Sequence, residues 1–279
     1  LSRLKLNVKG IAQDGRFSIK VSDSEIEIRT SILPGAYSDS VVLRILNPKA
    51  TQVSMEELGI PKKLYEILDH EIHKPNGMLL TTGPTGSGKT TTLYAFLRKI
   101  HTPEIKIITI EDPIEYHLPG IVQTQANHKE YTFAQGLRAA LRQDPDVIMV
   151  GEIRDDETAE IAIQSANTGH FVLSTLHTNS AAGAFPRLID LEVNPKIISS
   201  TVNLVLAQRL IRKLCKNCAK EIDPSETDKK IIDNILNSIT AETPTDLQKN
   251  KVWQAVGCEM CSGLGYKGRI GIYEAIKMT

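Results

Sequence analysis

Residues 1–46 alternate apolar and polar positions in short runs, with the period of two that β-strands have. Ile26 and Ile28, for example, are separated by a glutamate, and turns containing glycine lie between the runs. The predicted strands are Phe17–Val21, Glu25–Thr30 and Val41–Leu46. The pattern indicates a small β-rich domain over residues 1–46, followed by a linker over residues 47–53.

A second pattern begins at Ser54, which forms a predicted capping box with Glu57 ahead of an amphipathic helix. Short apolar runs then alternate with segments of helical period. Such alternation favours a parallel sheet with helices on both faces and ligands at the carboxyl ends of its strands. This α/β domain is predicted over residues 54–214. The predicted strands are Met78–Thr82, Ile105–Ile110, Asp146–Val150 and Phe171–Thr175, and the helices Thr91–Ile100, Phe133–Gln143, Glu157–Asn167 and Ile197–Ile211.

The composition is that of an ordinary globular protein. The 279 residues are 41% hydrophobic and 24% charged, with a formal net charge of zero. Without a strong overall positive field, the chain is not expected to gather nucleic acid around itself. No apolar run approaches the roughly 18 residues of a membrane span, so we expect a soluble, cytoplasmic protein.

The segment between the predicted strand at residues 78–82 and the helix at residues 91–100 fits the phosphate-binding pattern G-x-x-x-x-G-K-[ST]. Its glycines allow backbone N–H groups to turn inward, and the helix N-terminus adds positive potential. Lys89 is expected to reach the outer phosphates of a nucleoside triphosphate, ATP, and Thr90 to join a Mg²⁺ shell. The predicted nucleotide-contacting residues are Gly83, Pro84, Thr85, Gly86, Ser87, Gly88, Lys89, Thr90 and Thr91.

Acidic side chains and a histidine follow the other predicted strands. Glu111 comes directly after the strand ending at Ile110, Glu152 follows the strand ending at Val150, and His177 follows the one ending at Thr175. Transfer of a phosphoryl group to water requires a carboxylate that orients the water and a metal that spreads charge. Glu111 and Glu152 are the carboxylate candidates, and Glu152 is also a candidate for the Mg²⁺ shell.

The four cysteines form two C-x-x-C pairs, Cys215 with Cys218 and Cys258 with Cys261. Each pair offers two thiolates from one turn, and two such turns complete a tetrahedral Zn²⁺ shell. Four closed ligands imply a structural site, so we predict a zinc-binding segment over residues 215–261. Two disulfides are the alternative, which a reducing cytosol disfavours.

Basic side chains provide the last requirement of phosphoryl transfer. Arg138 and Arg142 are four residues apart in a predicted helix and therefore project from the same face, where they could bind phosphate or a neighbouring subunit. A solvated basic surface is the alternative for this pair.

Four blocks in this order resemble the hexameric motor ATPases of type II secretion and type IV pilus assembly. They are the phosphate loop, TIEDPIE, LRQDPDVIMVGEIRDDETAEIAIQSANTGH and STLHTN. The similarity covers nearly the whole chain. It implies a RecA-like P-loop NTPase core with Mg²⁺-dependent ATPase activity, preceded by part of a second N-terminal domain. Residues 262–279 would begin a C-terminal portion.

The resemblance also assigns roles to single residues. It implies that Glu152 is the essential Walker B glutamate and Glu111 a second catalytic carboxylate. Further nucleotide contacts would come from residues elsewhere in the chain. The resemblance implies such contacts for the β-domain arginines Arg29 and Arg44 and for the histidines His170 and His177. It places Arg209 near the base of the nucleotide or at a contact between subunits.

For the assembly, the resemblance implies a homo-hexamer that works with an inner-membrane platform protein. It would lie at the cytoplasmic face of the inner membrane and associate with that membrane only through partners. The tetracysteine segment resembles that of secretion and pilus-extension motors and is absent from retraction motors. No nucleic-acid partner is expected.

Two other functions remain open from the sequence. One is a motor of DNA uptake or conjugation whose hydrolysis nucleic acid stimulates, with the cysteines in a nucleic-acid-binding module. The other is a scaffold that binds nucleotide without hydrolysing it. The choice between pilus assembly and secretion, and the division of work between Glu111 and Glu152, also remain open.

Overall fold

The computed structural model describes residues 2–278 apart from positions 3, 6, 9, 22, 23, 47–52, 128, 129 and 239–250. The predicted linker therefore lies outside the described residues except at its last position. The chain divides into two compact units. Unit 1 comprises Leu1–Arg209 and Gly271–Thr279, and unit 2 comprises Leu210–Ile270.

A three-stranded antiparallel sheet occupies the N-terminal part of unit 1. Its strands, in spatial order, are β1 Gln13–Val21, β2 Ser24–Leu33 and β3 Ser40–Leu46. All three strands predicted from the alternating pattern are present. The alternation has its usual cause, because Ile28 and Thr30 are buried on one face while Arg29 between them points to the other.

A seven-stranded sheet forms the centre of the larger domain, in the spatial order β12-β9-β4-β8-β7-β5-β6. The pairings from β9 through β6 are all parallel. The predicted parallel core is therefore confirmed. The strands are β4 Gly77–Thr82, β5 Ile107–Glu111, β6 Val122–Gln125, β7 Val147–Val150, β8 Phe171–Leu176, β9 Val202–Leu214 and β12 Tyr266–Lys277.

Helices cover both faces of this sheet, as the uninterrupted burial of its central strands requires. Alternate residues of each strand enter different hydrophobic clusters. Met78 and Leu80 belong to one cluster with α3 to α6, and Leu79 belongs to the other with α1 and α2. The helices are α1 Lys62–Ile72, α2 Lys89–Ile100, α3 Phe133–Leu141, α4 Asp156–Asn167, α5 Ala184–Asp190 and α6 Pro195–Thr201.

The helix predicted over residues 197–211 is wrong over most of its length. The helix α6 ends at Thr201, and Val202–Leu214 form β9, which pairs with β4 in the middle of the sheet. An apolar run of this kind satisfies both the helical and the extended period. The vacant edge of β4 decides between them, because a strand there pairs its backbone groups and buries both of its faces.

The predicted capping box also needs correction. The Ser54 N–H donates to Glu57 Oε2 over 2.9 Å, but this pair lies at a short 3₁₀ turn over Glu56–Leu58. Pro61 then precedes α1, which begins at Lys62. Proline is favoured at such starts because it has no N–H to leave unpaired.

Unit 2 contains a two-stranded ribbon, a helix and the four cysteines. The ribbon pairs β10 Lys220–Ile222 with β11 Val252–Gln254, and the helix is α7 Glu226–Ser238. Residues 262–279, expected to begin a C-terminal portion, contribute β12 to the seven-stranded sheet. Among the helices of the described residues, none is long and apolar enough to cross a membrane.

Candidate functional site

The site lies at the carboxyl edge of the seven-stranded sheet. The strands β4, β8, β7 and β5 are consecutive neighbours and run in the same direction. Their ends therefore present Gly83, His177, Glu152 and Glu111 along one edge. The predicted location of the candidates just after the strands is thus what the parallel topology produces.

The phosphate loop joins β4 to α2 and depends on its glycines. Gly83, Gly86 and Gly88 have φ angles of 141°, 78° and 93°, which side chains of other residues rarely tolerate. A Cβ atom on Gly83 would also lie 2.5 Å from the carbonyl oxygen of Gln208. The loop therefore turns tightly enough for its N–H groups and the α2 N-terminus to face a common point.

Lys89 begins α2 and is buried against the loop that precedes it. Its Nζ donates to the carbonyl oxygens of Gly83 over 2.8 Å and Pro84 over 3.1 Å. Burial lowers the pKa of Lys89, and the negative charge of Glu152 opposes that shift. The Glu152 carboxylate is thus close enough to act on the charge of the Lys89 ammonium group.

Two neighbouring strands brace the phosphate loop through residues that sequence reasoning missed. From β9, Gln208 Nε2 donates to the Ser87 carbonyl over 2.8 Å. From β4, the Thr82 hydroxyl donates to the Thr178 carbonyl over 3.0 Å and accepts from the Thr178 N–H over 2.9 Å. The signal in the sequence that could have identified this bracing residue is that Gln208 is polar within an apolar run.

Glu152 follows β7 and has both carboxylate oxygens engaged. Oε1 lies 2.6 Å from Arg154 Nη2, and Oε2 lies 3.1 Å from His177 Nε2. The hydrogen bond to Glu152 raises the pKa of Arg154. Glu152 is 12% exposed, whereas His177 is 48% exposed. The group therefore forms a polar cluster that is open to solvent at both His177 and Arg154, and Arg154 is a member that the sequence analysis did not identify.

Glu111 has a different environment although it ends the next strand. It is 3% exposed, and its carboxylate accepts from Thr109 Oγ1 over 2.5 Å, from Gln123 Nε2 over 3.0 Å and from the Tyr94 hydroxyl. Burial raises the pKa of Glu111, and the hydrogen bonds only partly offset this effect. Its oxygens are therefore directed at protein donors and are shielded from solvent.

The structure places His170 at the other end of the sheet. Phe171 pairs with Gly77 at the start of β4, so His170 lies beside the beginning of that strand while the phosphate loop follows its end. Six residues of strand separate the two ends by roughly 20 Å. His170 Nδ1 instead lies 3.1 Å from the Ser165 carbonyl oxygen. Within one chain, the structure therefore does not bring His170 to the phosphate loop.

The β-domain arginines Arg29 and Arg44 lie directly opposite each other on β2 and β3. Arg29 Nη2 donates to the Ile114 carbonyl over 2.9 Å and lies 3.2 Å from Glu115 Oε2, in the loop that follows β5. Arg44 is exposed. The three-stranded sheet thus directs arginines toward the edge at which β5 ends.

The other three arginines predicted for the site are Arg209, Arg138 and Arg142, and they fall into two groups. Arg209 is on β9, and its Nη2 donates to the Asn179 carbonyl over 3.1 Å, in the loop that carries His177. Its Nη1 is buried without a hydrogen-bond partner among the described residues.

Arg138 pairs with Glu157 at 2.7 Å, and Arg142 Nη1 donates to the Arg138 carbonyl over 3.0 Å. Within the part of the chain that the structure describes, neither Arg138 nor Arg142 has a hydrogen bond or ion pair with the phosphate loop. The structure thus brings Arg209 to the site and leaves this pair on the outer surface of α3.

The oxygen donors near Lys89 fit a small hard cation. Thr90 is the second residue of α2 and its side chain is exposed, and Thr91 follows it half-buried. A hydroxyl and a carboxylate, here Thr90 and Glu152, are the donor types that Mg²⁺ takes beside phosphate oxygens. The residues present are therefore chemically suited to that ion.

The four cysteines of unit 2 are free thiols whose ligand atoms all lie within 4.8 Å of one another. Three Sγ–Sγ distances are 3.7, 3.8 and 3.9 Å. Zn–S bonds of about 2.3 Å at tetrahedral angles place sulfur atoms about 3.8 Å apart. The cluster therefore fits a four-coordinate metal site, and the disulfide alternative is excluded for this arrangement.

Backbone N–H groups surround the sulfur atoms. Gly257 donates to Cys218 over 3.3 Å, and Cys258 and Gly265 each donate to Cys261 over 3.2 Å. Burial acts to raise the pKa of Cys261, but these backbone hydrogen bonds help lower it to about 6. At Cys261 the backbone thus favours the thiolate form that a metal requires, whereas burial and the neighbouring thiols raise the pKa of Cys218 to about 11.

The phosphate loop, the parallel sheet and the polar strand ends together define a nucleotide-binding α/β domain of the P-loop class. Comparison with known protein families then identifies the family within this class. The family described as "Type II/IV secretion system protein" matches residues 1–279, and the chain belongs to this family.

Curated relatives agree with that assignment. The chain is 50% identical over 277 residues to a type II secretion system protein E of Pseudomonas aeruginosa, covering 99% of this chain and 53% of that protein. It is 44% identical over 277 residues to a type II secretion system ATPase E of Vibrio cholerae, again covering 99% and 53%. The chain thus spans about half the length of these relatives.

Solved structures of a pilus retraction motor and of an ATPase have a similar fold. A crystal structure of the pilus retraction motor PilT with bound ADP is 37% identical, with a TM-score of 0.60 over 73% of this chain and 60% of that one. The Legionella pneumophila ATPase DotB is 29% identical, with a TM-score of 0.61 over 73% and 59%. The core therefore has the P-loop fold of these two proteins.

Proposed function

We propose that this protein hydrolyses ATP with Mg²⁺ as one subunit of a homo-hexameric motor that powers type II protein secretion. The observation that carries the proposal is the convergence of Lys89, Glu152 and His177 at the carboxyl edge of the sheet. The names of the relatives favour secretion over pilus assembly.

Nucleotide binding follows from the loop and its braces. The N–H groups between Gly83 and Thr90, apart from Pro84, which has none, would bind the phosphate chain together with the α2 N-terminus. The Lys89 ammonium would leave its two loop carbonyls for phosphate oxygens. Gln208 holds the loop in place by donating a hydrogen bond to the Ser87 carbonyl. Thr85, Gly86 and Thr91 complete the set of proposed contacts.

Mg²⁺ would be held by Thr90 and by Glu152, directly or through water, together with phosphate oxygens. When bound, the ion neutralises charge on the phosphates and polarises the terminal group. The protein residues supply the rest of the chemistry.

Glu152 is the carboxylate that we propose to orient the attacking water and accept its proton. The water oxygen then bonds to the γ-phosphorus while the bond to the β-γ bridging oxygen breaks. His177, bonded to Glu152, would contact the γ-phosphate and hold the carboxylate in position. Glu111 is buried and satisfied by three donors, so we propose that it orders Tyr94 and Gln123 behind the site.

Arginines would supply positive charge to the transition state. We propose that Arg29 and Arg44 contact the nucleotide from the β-domain when it closes on the core. Arg209 would contact the base or a subunit neighbour, since one guanidinium nitrogen lacks a hydrogen-bond partner among the described residues. Arg138 and Arg142 would face the neighbouring subunit, consistent with their exposure on α3.

The four cysteines would hold a structural Zn²⁺. We propose that the complete protein works with an inner-membrane platform component, in the cytoplasm at the inner-membrane face. We propose that its membrane association is through partners and that nucleic acid is not a partner, in keeping with the zero net charge.

The test is ATP turnover by the full-length protein, measured as phosphate release. Lys89→Ala should reduce turnover by about 10² or more, because it removes the cation that contacts the transferred phosphoryl group. Lys63→Ala is the matched control, since Lys63 is an exposed lysine on α1. Equal rates for the wild type and Lys89→Ala would refute the proposal.

A further inference from the structure

Three arginines lie in one row across the three-stranded sheet. Arg16 on β1 is opposite Arg29 on β2, and Arg29 is opposite Arg44 on β3. Residues directly opposite each other in antiparallel strands share a face, with Cβ atoms about 5 Å apart. Because neighbouring strands are about 4.8 Å apart, the row spans about 10 Å. The family resemblance implied a nucleotide contact for Arg29 and Arg44, and only the strand register adds Arg16.

The row is electrostatically unfavourable as it stands. Like charges directly opposite on neighbouring strands destabilise a sheet. Arg29 is partly compensated, since its guanidinium lies 3.8 Å from Glu27 and 3.2 Å from Glu115. Among the residues that the structure describes, no carboxylate lies within 4 Å of Arg16 or Arg44. Both of these side chains are exposed, so their charges are available to an anion from outside the sheet.

The central arginine shows which way the row faces. Arg29 donates to the Ile114 carbonyl and contacts Glu115, and both residues lie in the loop that follows Glu111 at the end of β5. The face that carries the arginines is thus turned toward the edge of the core sheet that holds the nucleotide site. The opposite face carries Ile28 and other apolar residues.

We infer that Arg16 is a third phosphate-binding arginine and that Arg16, Arg29 and Arg44 act as one row on the phosphate chain of a nucleoside triphosphate. The inference rests on the proposed ATPase function and extends its site by one residue. Guanidinium groups suit this ligand because each can donate two parallel hydrogen bonds to phosphate oxygens. A bound triphosphate would also remove the repulsion within the row.

The experiment compares Arg16→Gln with Lys20→Gln in the full-length protein. Lys20 is the matched control, because it is exposed on the same face of β1 and four residues from Arg16, outside the row. Affinity for ATP is measured with a fluorescent ATP analogue, and KM and kcat are measured from phosphate release. Thermal unfolding and the mass of the assembled ring are recorded for each variant.

Loss of charge-assisted hydrogen bonds should raise the Kd and KM for ATP about tenfold in Arg16→Gln, with Lys20→Gln unchanged. Arg16→Lys should recover part of the affinity, since a point charge replaces the planar fork. The Tm of Arg16→Gln should be equal to or above that of the wild type, because one member of a repelling row is removed. A structural arginine would not combine weaker binding with undiminished stability.

Three results would overturn the inference. The first is identical ATP binding by Arg16→Gln and Lys20→Gln. The second is a fall in Tm large enough to account for weaker binding. The third is loss of ring assembly with unchanged ATP affinity, which would assign the row to acidic side chains of a neighbouring copy. If Lys89→Ala leaves hydrolysis unchanged, the proposed function fails, while the affinity of Arg16→Gln still tests the row.

Discussion

The nucleotide edge of unit 1 and the cysteine cluster of unit 2 are both polar sites, but they are closed to different degrees. At the nucleotide edge, Glu152 contacts a half-exposed His177 and an exposed Arg154. In the cluster, four thiols lie within 4.8 Å of one another, and backbone N–H groups donate to Cys218 and Cys261. The nucleotide edge leaves room for a bound molecule. In the cluster, all four cysteine sulfur atoms are directed at one point.

This difference indicates that the residues expected to stabilise the fold and those expected to carry out chemistry lie in different sites. A closed set of four ligands stabilises the fold that holds it but offers no position to a substrate. At the nucleotide edge, the exposed side chains follow strands whose burial does not depend on them. Substitutions in the cluster should therefore act on folding, and substitutions at the edge should act on turnover.

The largest expected effect is that of Cys261→Ser, which removes one of the four thiolates. Structural Zn²⁺ contributes on the order of 10 kcal/mol, comparable to the whole stability of a domain, so unit 2 should unfold. Zinc content and a thermal unfolding scan measure the change. Asn217→Ala, an exposed residue between Cys215 and Cys218, is the control and should keep both metal and stability. A fully stable, zinc-free Cys261→Ser would contradict the assignment of a structural metal.

Glu152→Gln should have the next largest effect and leave stability unchanged. The amide keeps the shape but cannot accept a proton, so phosphate release should fall about 10²- to 10³-fold. Glu160→Gln on α4 is the control, because Glu160 is exposed and bonds only to Gln164 among the described residues. If Tm falls along with turnover, the edge is not independent of the fold, and the comparison with the cysteine cluster weakens.

Gln208→Ala tests whether the sheet braces the phosphate loop. It removes the hydrogen bond to the Ser87 carbonyl, worth about 1 kcal/mol, so KM for ATP should rise about fivefold with little change in kcat. Gln164→Ala, on the exposed face of α4, provides the control. Unchanged KM would mean that the loop holds its conformation without β9.

The smallest effect is expected for Glu111→Gln and concerns stability against pH. Burial raises the pKa of Glu111, so its contribution to stability is present below the ordinary value near 4.5 and is lost as pH rises through the folded-state pKa. The glutamine variant carries no such loss. Its Tm should match that of the wild type near pH 4.5 and exceed it at pH 8. A Tm difference independent of pH would show that Glu111 is not in the buried state described.

Much of the fold was predictable because its signals are local. The phosphate loop needs glycines at positive φ, and the central strands need continuous apolar runs, and both requirements are visible in the order of residues. The order of strand ends then predicted Glu111, Glu152 and His177 at one edge. The cysteine cluster was visible in the spacing of the four cysteines.

Other features depended on contacts between distant residues. The choice of strand over helix for Val202–Leu214 required the open edge of β4, which no local pattern contains. The family resemblance implied a nucleotide contact for both His170 and His177, but the direction of β8 puts them at opposite ends of the sheet.

By itself, the sequence determined which residue types occupy the turns, the strand ends and the metal-ligand spacing, because these depend on backbone conformation within a few residues. The tertiary structure alone decided which of those side chains meet. It buried Glu111 under Tyr94, left Glu152 at the open edge, and aligned Arg16 with two other arginines. The physical reason is that burial and charge pairing are set by neighbours far apart in the chain, and these control what each side chain can do.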